Sequence, residues 1–231
     1  GVSVRCQPEL AEERGITACS IPAFLPFAED AEGPQQPIVA ICEGDVRGLV
    51  TLMLLHRIVP SVPPTFGDLM YASERLIRVS NCGAGGLFWA AQSMKAKDSL
   101  PHVTLAGGWN ATGGAAFGYY SPPGPVTVAR LTRVKDSYFM HLARGEQLKI
   151  EGEVEKEILS TYGATWPQHA VSLGVDPHYF VRAMGANHPC LTTGDRTLEL
   201  AYACREAGLP VVRIDSDQEL RRYCDEIIPS L

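Results

Sequence analysis

Hydrophobic residues recur along the chain in short runs whose lengths alternate between those of strands and helices. Residues 37–41, PIVAI, form a short apolar run that predicts a strand. After the loop CEGD, residues 46–58 are apolar on nearly all sides, which predicts a helix covered by other elements. Strand, tight loop and helix make half of a β-α-β unit. Ligands of such units lie beyond the carboxyl ends of the strands, where Glu43 is placed.

A different pattern follows the Pro-rich boundary at residues 59–72. Residues 102–133 are dense in Gly, Pro, Val and Thr, which predicts short strands and turns in an antiparallel region. Residues 137–150 continue this region, with RGEQ expected as a hairpin-like turn.

The last quarter of the chain predicts a helix and then a strand. The helix is expected from Asp195 to Ala207, with the apolar side chains of Leu198, Ala201 and Tyr202 along one stripe. Gly208 is placed to end it, and VVRI follows as a strand.

Composition restricts the classes of protein and partner. The 231 residues are 45% hydrophobic and 20% charged, which is typical of a globular protein with a substantial core. The net charge is −6 and no cluster of basic residues occurs, so we expect no nucleic-acid partner. The longest apolar run, GLVTLMLL, is too short to cross a bilayer, and we expect no membrane partner.

The cysteines indicate the redox compartment, and the first residues indicate whether the chain is a fragment. Seven cysteines are widely spread, without a C-x-x-C pair, which argues against a disulfide framework or a zinc–thiolate site. We therefore expect a reducing cytoplasm. The opening segment VSVR has the pattern of a strand already inside a domain, so we expect a fragment or a processed product.

Three polar side chains lie in glycine-containing loops next to regular elements: Glu43, Asp68 and His188. Two carboxylates and one imidazole form a hard donor set that suits Mn²⁺ or a similar divalent ion. From spacing alone, three solvated loop residues are the commoner interpretation. The chain has 26 acidic residues and 6 histidines, which allow many such triples.

Other sites of chemistry have weaker signals. The glycine-rich segments 83–86 and 107–114 contain no G-x-x-x-x-G-K-[ST] phosphate loop, and no G-x-S-x-G elbow occurs. Cys82 or Cys190 paired with a histidine remains an alternative, although a buried cysteine acting as a small hydrophobe is commoner. Trp166 fits either a core position or a stacking face for a sugar ring.

Short segments in a fixed order resemble the carboxyl-terminal part of the L-fucose isomerase family. They are RCQPEL, AICEGDVRGLVTLMLL, TFGDL, SNCG, GPVTVARL, ATWP and GANHPCLTTGD, and together they cover nearly all of the chain. Members of the family are ketol isomerases that interconvert aldoses and ketoses with Mn²⁺ held by Glu, Asp and His. The resemblance implies that Glu43, Asp68 and His188 are the ligands of Mn²⁺ or another divalent cation.

The resemblance also implies roles in catalysis and substrate binding. Glu43 and Asp68 would be the catalytic base and acid that move a proton through an enediol. The substrate-facing residues that it implies are Gln7, Cys82, Trp166 and Asn187. At Cys82 the resembled enzymes offer a serine hydroxyl, and a thiol is a poorer hydrogen-bond donor, so the sugar itself stays open.

The architecture that the resemblance implies is α/β (mixed α+β) and has two parts. Residues 1–60 would be the remainder of a parallel α/β domain, and residues 61–231 a domain with an antiparallel barrel-like sheet and flanking helices. The resemblance further implies a monosaccharide substrate and a homo-oligomer, either a trimer or a hexamer. It also implies an N-terminal domain that this chain lacks, without which the fragment alone is expected to be inactive.

The alternative is a non-catalytic sugar- or metal-binding module that retains the isomerase fold. Cys82 and the lacking domain favour this module, whereas the intact Glu, Asp and His disfavour it.

Overall fold

The computed structural model describes residues 1–73, 75–108, 113–213 and 216–227. The strands are β1 (Val2–Val4), β2 (Ile16–Thr17), β3 (Glu29–Asp30), β4 (Gly33–Pro34), β5 (Ala40–Cys42), β6 (Thr65–Phe66), β7 (Asp68–Ser73), β8 (Leu76–Ser80), β9 (Thr104–Gly107), β10 (Gly113–Gly118), β11 (Gly124–Val134), β12 (Ser137–Leu148), β13 (Gln168–Leu173), β14 (Cys190–Thr193) and β15 (Val211–Arg213). The α-helices are α1 (Ala11–Arg14), α2 (Ser20–Phe24), α3 (Val46–Ile58), α4 (Ala96–Ser99), α5 (Gly152–Tyr162), α6 (Pro177–Met184), α7 (Thr197–Glu206) and α8 (Asp217–Arg222). Shorter helical segments are Cys6–Leu10, Leu87–Ala90, Leu100–His102 and Tyr223–Ile227.

The strand–loop–helix unit predicted near the start of the chain is present. Strands β1 and β5 pair in parallel, with Val4 opposite Cys42, and α3 follows β5 after a tight loop. The strand itself begins three residues later than the apolar run that predicted it. Helix α3 buries Leu52 and Leu55 against strands β11 and β14. The expected cover on nearly all sides is wrong for the opposite face, where Val46, Val50 and Met53 are exposed.

The central element is a sheet with the strand order β6-β14-β11-β12-β13-β8-β7, and β15 pairs in parallel with β12. The other pairings along this order are antiparallel. The predicted turn at RGEQ is wrong, because these residues lie inside the continuous strand β12. Gly145 is required there for close packing, since a Cβ at this position would lie 2.5 Å from Cγ1 of Val171. The chain turns instead after Val134, where Lys135 has φ 53°.

Gly67 joins the two opposite edges of this sheet. Strands β6 and β7 are the last strands at either end, yet only this glycine separates them in sequence. Its N–H donates to the Pro189 carbonyl, and the Leu69 N–H donates to the Asn187 carbonyl at 3.0 Å. A Cβ on Gly67 would lie 2.5 Å from the Ser80 carbonyl oxygen. The sheet therefore curls into a barrel-like form, which confirms the mixed α+β class.

One hydrophobic core cluster extends on both sides of the predicted boundary at residue 60. Leu52 and Leu55 of α3 belong to the same cluster as Leu131, Met140 and Leu142 of the central sheet. The α3 unit and the sheet therefore pack as neighbours. The division into parts 1–60 and 61–231 stays a prediction.

The predicted C-terminal helix is confirmed as α7, but its apolar stripe faces outward. Leu198 and Tyr202 are 67% and 59% exposed. The buried positions of α7 are Thr197, Leu200 and Cys204, which also recur at helical spacing. Strand β15 follows as predicted, and its expected last residue, 214, lies outside the described residues.

None of the helices in the described part of the chain is long and apolar enough to cross a membrane.

Candidate metal centre

Three loops that are distant in sequence meet at one point. Glu43 lies in the loop after β5, Asp68 is the first residue of β7, and His188 lies in the turn before β14. His188 Nε2 is 3.4 Å from Glu43 Oε2 and 3.4 Å from Asp68 Oδ1. One atom from each of the three side chains lies within 4.8 Å of the other two. The structure thus brings the predicted trio of Glu43, Asp68 and His188 together.

Backbone geometry accounts for this convergence. The pairing of Phe66 with Cys190 sets the start of β7 beside the turn that carries His188. Glu43 and Gly44 have φ values of 61° and 68°, so the loop turns sharply as soon as β5 ends. A non-glycine residue with this φ is uncommon, and such strain, about 1–3 kcal/mol, clusters at functional sites. The strained residue here is a member of the trio.

A buried carboxylate and a buried guanidinium hold the His188 ring. Asp45 Oδ2 is 2.9 Å from His188 Nδ1, and both terminal nitrogens of Arg130 donate to the Asp45 carboxylate. Arg130 also donates to the His188 carbonyl at 3.1 Å. With Nδ1 assigned as the donor to Asp45, loss of the proton from Nε2 leaves its lone pair on the side of Glu43 and Asp68. This is the arrangement in which histidine binds a metal ion.

Sequence patterns did not identify Asp45 and Arg130 as the residues that hold the His188 ring. Asp45 also has a common structural role, because its side chain caps α3 by accepting a hydrogen bond from the Gly48 N–H at 2.9 Å. An aspartate at a helix start therefore gives no signal of a functional site. The available signal for Arg130 was a charged residue in the apolar run GPVTVARL, and its side chain is 3% exposed. A buried charge needs a partner, which in this structure is Asp45.

Charge interactions shift the pKa values of this group strongly. Burial opposes protonation of His188, but interactions with Asp45, Asp68 and Glu43 outweigh it and raise the pKa of the ring to about 11. Burial opposes ionisation of Asp45, but hydrogen bonds from His188 and Arg130 hold its pKa well below the ordinary value. The metal-free ring is therefore a cation that faces the carboxyl groups of Asp45, Asp68 and Glu43.

The donor set fits a divalent cation. His188 Nε2 is buried and makes no hydrogen bond of normal geometry within the described residues, where its polar neighbours are the Glu43 and Asp68 carboxylates 3.4 Å away. Buried polar atoms are normally paired, so this nitrogen indicates a ligand. Two carboxylates and one imidazole are suited to Mn²⁺ and similar hard divalent ions. Within the described residues, the trio is the group of three acidic, histidine or cysteine side chains close enough to hold such an ion.

The predicted substrate-facing residues surround the trio at different distances. Asn187 donates its side-chain N–H to Asp68 Oδ1, so it lies directly at the site. Asn81 Nδ2 contacts the Cys42 thiol at 3.7 Å, which sets the SNCG turn, with Cys82, beside the Glu43 loop. Gln7 and Cys82 line the same small cavity.

Trp166 lies near the start of β7 through the loop that carries it. The Ser80 hydroxyl donates to the Pro167 carbonyl at 2.8 Å, and Ser80 pairs with Asp68 across strands β8 and β7. The Trp166 ring is partly exposed and packs against Tyr162, with ring centroids 5.2 Å apart. Its contact with a sugar stays a prediction.

A catalytic pair of Cys190 and His188 has no geometric support. The Cys190 thiol is fully buried and contacts the Gly48 carbonyl at 3.7 Å, and burial raises its pKa to about 12. His188 Nδ1 is already bound to Asp45. Cys190 therefore behaves as a small hydrophobic residue.

The fold and the site define a barrel-like α+β domain that carries a carboxylate–imidazole centre. The profile of the family described as "L-fucose isomerase, C-terminal domain" matches residues 79–215, more than half of the chain. The chain belongs to this family. The match includes Asn187 and His188 but begins after Glu43 and Asp68, which the geometry adds.

The curated proteins that are similar to this chain share the name "Sulfoquinovose isomerase". The chain is 25% identical over 223 residues to "Sulfoquinovose isomerase" of Alkalicoccus urumqiensis, which covers 93% of this chain and 44% of that protein. It is 26% identical over 186 residues to "Sulfoquinovose isomerase" of Priestia aryabhattai, covering 77% of this chain and 38% of that protein. The chain thus spans less than half the length of these relatives.

Proposed function

We propose that this chain carries the metal centre of an aldose–ketose isomerase. Glu43, Asp68 and His188 would hold Mn²⁺ or another divalent cation. The observation that carries this proposal is the convergence of the two carboxylates on the buried Nε2 of His188, each at 3.4 Å. The family and the names of the relatives support the same reaction class.

The reaction transfers a proton between adjacent carbons of an open-chain sugar, through an enediol. The bound cation would supply Lewis-acid polarisation of the sugar carbonyl. Glu43 and Asp68 each lie 3.4 Å from His188 Nε2, so one carboxylate can accept the proton from carbon while the other returns it. Asp45 keeps the His188 ring in one orientation throughout.

For the substrate we propose a monosaccharide, and a sulfonated sugar is the first candidate because the relatives are named sulfoquinovose isomerases. Asn187 is suited to bind a sugar hydroxyl beside Asp68. Trp166 would pack against the apolar face of the sugar ring, and Gln7 and Cys82 would line the far side of the pocket.

The test is turnover by the full-length protein with Mn²⁺, against a panel of aldoses and ketoses that includes sulfoquinovose. We expect conversion of at least one sugar that stops when a chelator removes the metal and returns when Mn²⁺ is restored. Calorimetric binding of a sugar without any conversion would instead support the non-catalytic module.

Cytoplasmic location and a trimer or hexamer belong to the same proposal. The described part of the chain contains seven free cysteines, which fits a reducing compartment. Size-exclusion chromatography with light scattering of the full-length protein tests the oligomeric state.

The positioning role of Asp45 predicts two effects of Asp45→Asn. Affinity for Mn²⁺ should fall about 10–100-fold, because the amide orients the His188 ring less well. Unfolding should become easier by about 3 kcal/mol, because the buried Arg130 loses its counter-charge. Titration calorimetry and urea unfolding measure these effects.

Asp136→Asn is the matched control, since the Asp136 carboxylate is 98% exposed and its replacement should change neither quantity appreciably. Equal behaviour of the two variants would contradict the role of Asp45.

The raised pKa of His188 predicts that Mn²⁺ binding releases a proton. With a pKa of about 11, the metal-free ring is protonated at pH 6–9, and Nε2 must lose the proton to bind a cation. Affinity should therefore rise with pH by about tenfold per unit in this window. Calorimetry in buffers of different ionisation enthalpy measures the released proton. A binding constant that does not change with pH would contradict this linkage.

The same shift affects the stability of the metal-free protein. The protonated ring stabilises the folded state fully below the unfolded-state value of about 6.5, and this contribution is lost as the pH rises through about 11.

A further inference from the structure

Four cysteines cluster beside the candidate metal centre. Their thiols lie near one another in two pairs, Cys6 with Cys42 and Cys19 with Cys82. Cys42 directly precedes Glu43, and three of the four, Cys6, Cys19 and Cys82, line the small cavity that also contains Gln7. The proposed reaction gives these paired thiols no task, apart from the substrate contact implied for Cys82.

The Cys19–Cys82 pair joins two loops that are 63 residues apart. Besides the contact between the thiols, the Cys19 thiol reaches the Cys82 carbonyl at 3.6 Å. Cys82 is the one partly exposed member of the four, so a small oxidant has access to this pair. Gly83 follows with φ 107°, a backbone conformation that favours glycine and that sets the turn carrying Cys82.

We propose that Cys19 and Cys82 are a site of reversible oxidation, and that the disulfide between them lowers activity at the neighbouring metal centre. In the first step, one thiol loses its proton and the thiolate attacks a peroxide oxygen; the O–O bond breaks, the leaving hydroxide takes up the proton as water, and a sulfenic acid forms. In the second step, the partner thiol attacks the sulfenic sulfur, the S–S bond forms and a second water leaves. Two electrons pass from the two sulfur atoms to the peroxide.

The other pair is less suited to this chemistry. Cys42 is 3% exposed and is fixed within β5, whose backbone pairs with β1. Cys6 is also buried. A peroxide molecule reaches Cys82 without opening a sheet, whereas oxidation of Cys42 would disturb the strand that holds Glu43.

The effect on activity rests on the proposed function. Cys82 is a predicted substrate contact, and Asn81 next to it contacts Cys42. A link from Cys82 to Cys19 therefore moves a wall of the pocket close to the trio. Displacement of about 1 Å near reacting groups can cost on the order of 10²-fold in rate.

The experiment is a non-reducing peptide map of the full-length protein after treatment with hydrogen peroxide. We expect a linked peptide that contains Cys19 and Cys82 and that dithiothreitol separates. The link should be absent in Cys19→Ser and retained in Cys204→Ser, whose thiol is buried in α7. No linked peptide, or a link only between Cys6 and Cys42, would overturn the proposal.

A second measurement tests the consequence for activity. Peroxide should lower the isomerisation rate of the wild-type protein by on the order of 10–10²-fold, and dithiothreitol should restore it. Cys19→Ser should keep its rate in peroxide. A complete Cys19–Cys82 link with an unchanged rate would overturn the regulatory part. The peptide map does not depend on isomerisation, so a failure of the proposed function is distinguishable from a failure of this site.

Discussion

Glu43→Gln in the full-length protein is expected to lower kcat for sugar isomerisation by on the order of 10²–10⁴-fold. The amide cannot accept a proton from carbon, and it is a poorer ligand than a carboxylate for a hard cation. The Glu43 side chain is 39% exposed, so its replacement removes little packing and the fold should stay intact. Initial rates at saturating Mn²⁺ and sugar measure the effect, and circular dichroism checks the fold.

Glu12→Gln is the matched control for this variant. Glu12 lies on the exposed side of α1, outside the trio, and its replacement should leave kcat unchanged. Near-normal turnover by Glu43→Gln would remove this carboxylate from the mechanism, whatever the identity of the sugar.

His188→Gln is expected to abolish metal-dependent activity by a different route. Loss of an outer partner such as Asp45 costs about 10–100-fold in metal affinity, and loss of the ring nitrogen itself should cost more. Mn²⁺ that saturates the wild-type protein should remain unbound by the variant. Electron paramagnetic resonance of free Mn²⁺ measures this directly.

His178→Gln provides the control for the histidine variant, since His178 is exposed on α6 and is not a member of the trio. It should bind Mn²⁺ like the wild-type protein. Wild-type affinity in His188→Gln would show that the imidazole is not a ligand.

Local patterns in the sequence predicted the elements that depend on local packing. Helix α3 begins and ends where its apolar run predicts, because Asp45 caps its start and Leu52 and Leu55 anchor one face in the core. The two faces of α7 could not be distinguished, since Leu198 and Leu200 both belong to stripes at helical spacing. Only the position of the central sheet decides which stripe is buried.

The structural roles of two glycines, Gly145 and Gly67, could not be read from the sequence. Gly145 suggested a turn but allows close strand packing, and Gly67 in the Pro-rich boundary joins both edges of the sheet. Sequence spacing cannot distinguish a glycine that turns the chain from one that admits a neighbour. Asp68 lies beside His188 because Gly67 joins the two edges of the sheet, and spacing alone therefore did not predict this contact.

The resemblance supplied the trio, and the structure supplied what holds it. Asp45 and Arg130 are separated by 85 residues and form an ion pair that only the packing of α3 on β11 creates. A helix cap and an arginine within a strand each have an ordinary explanation. Their shared contact with His188 appears only in three dimensions.

The most direct test of the metal centre is anomalous diffraction at the manganese edge from crystals of the full-length protein grown with Mn²⁺. We expect one strong peak among a carboxylate oxygen of Glu43, a carboxylate oxygen of Asp68 and Nε2 of His188. The Nδ1 atom of His188 should still be bound to Asp45. A fully occupied peak elsewhere, or none at this position with saturating Mn²⁺, would contradict the central claim.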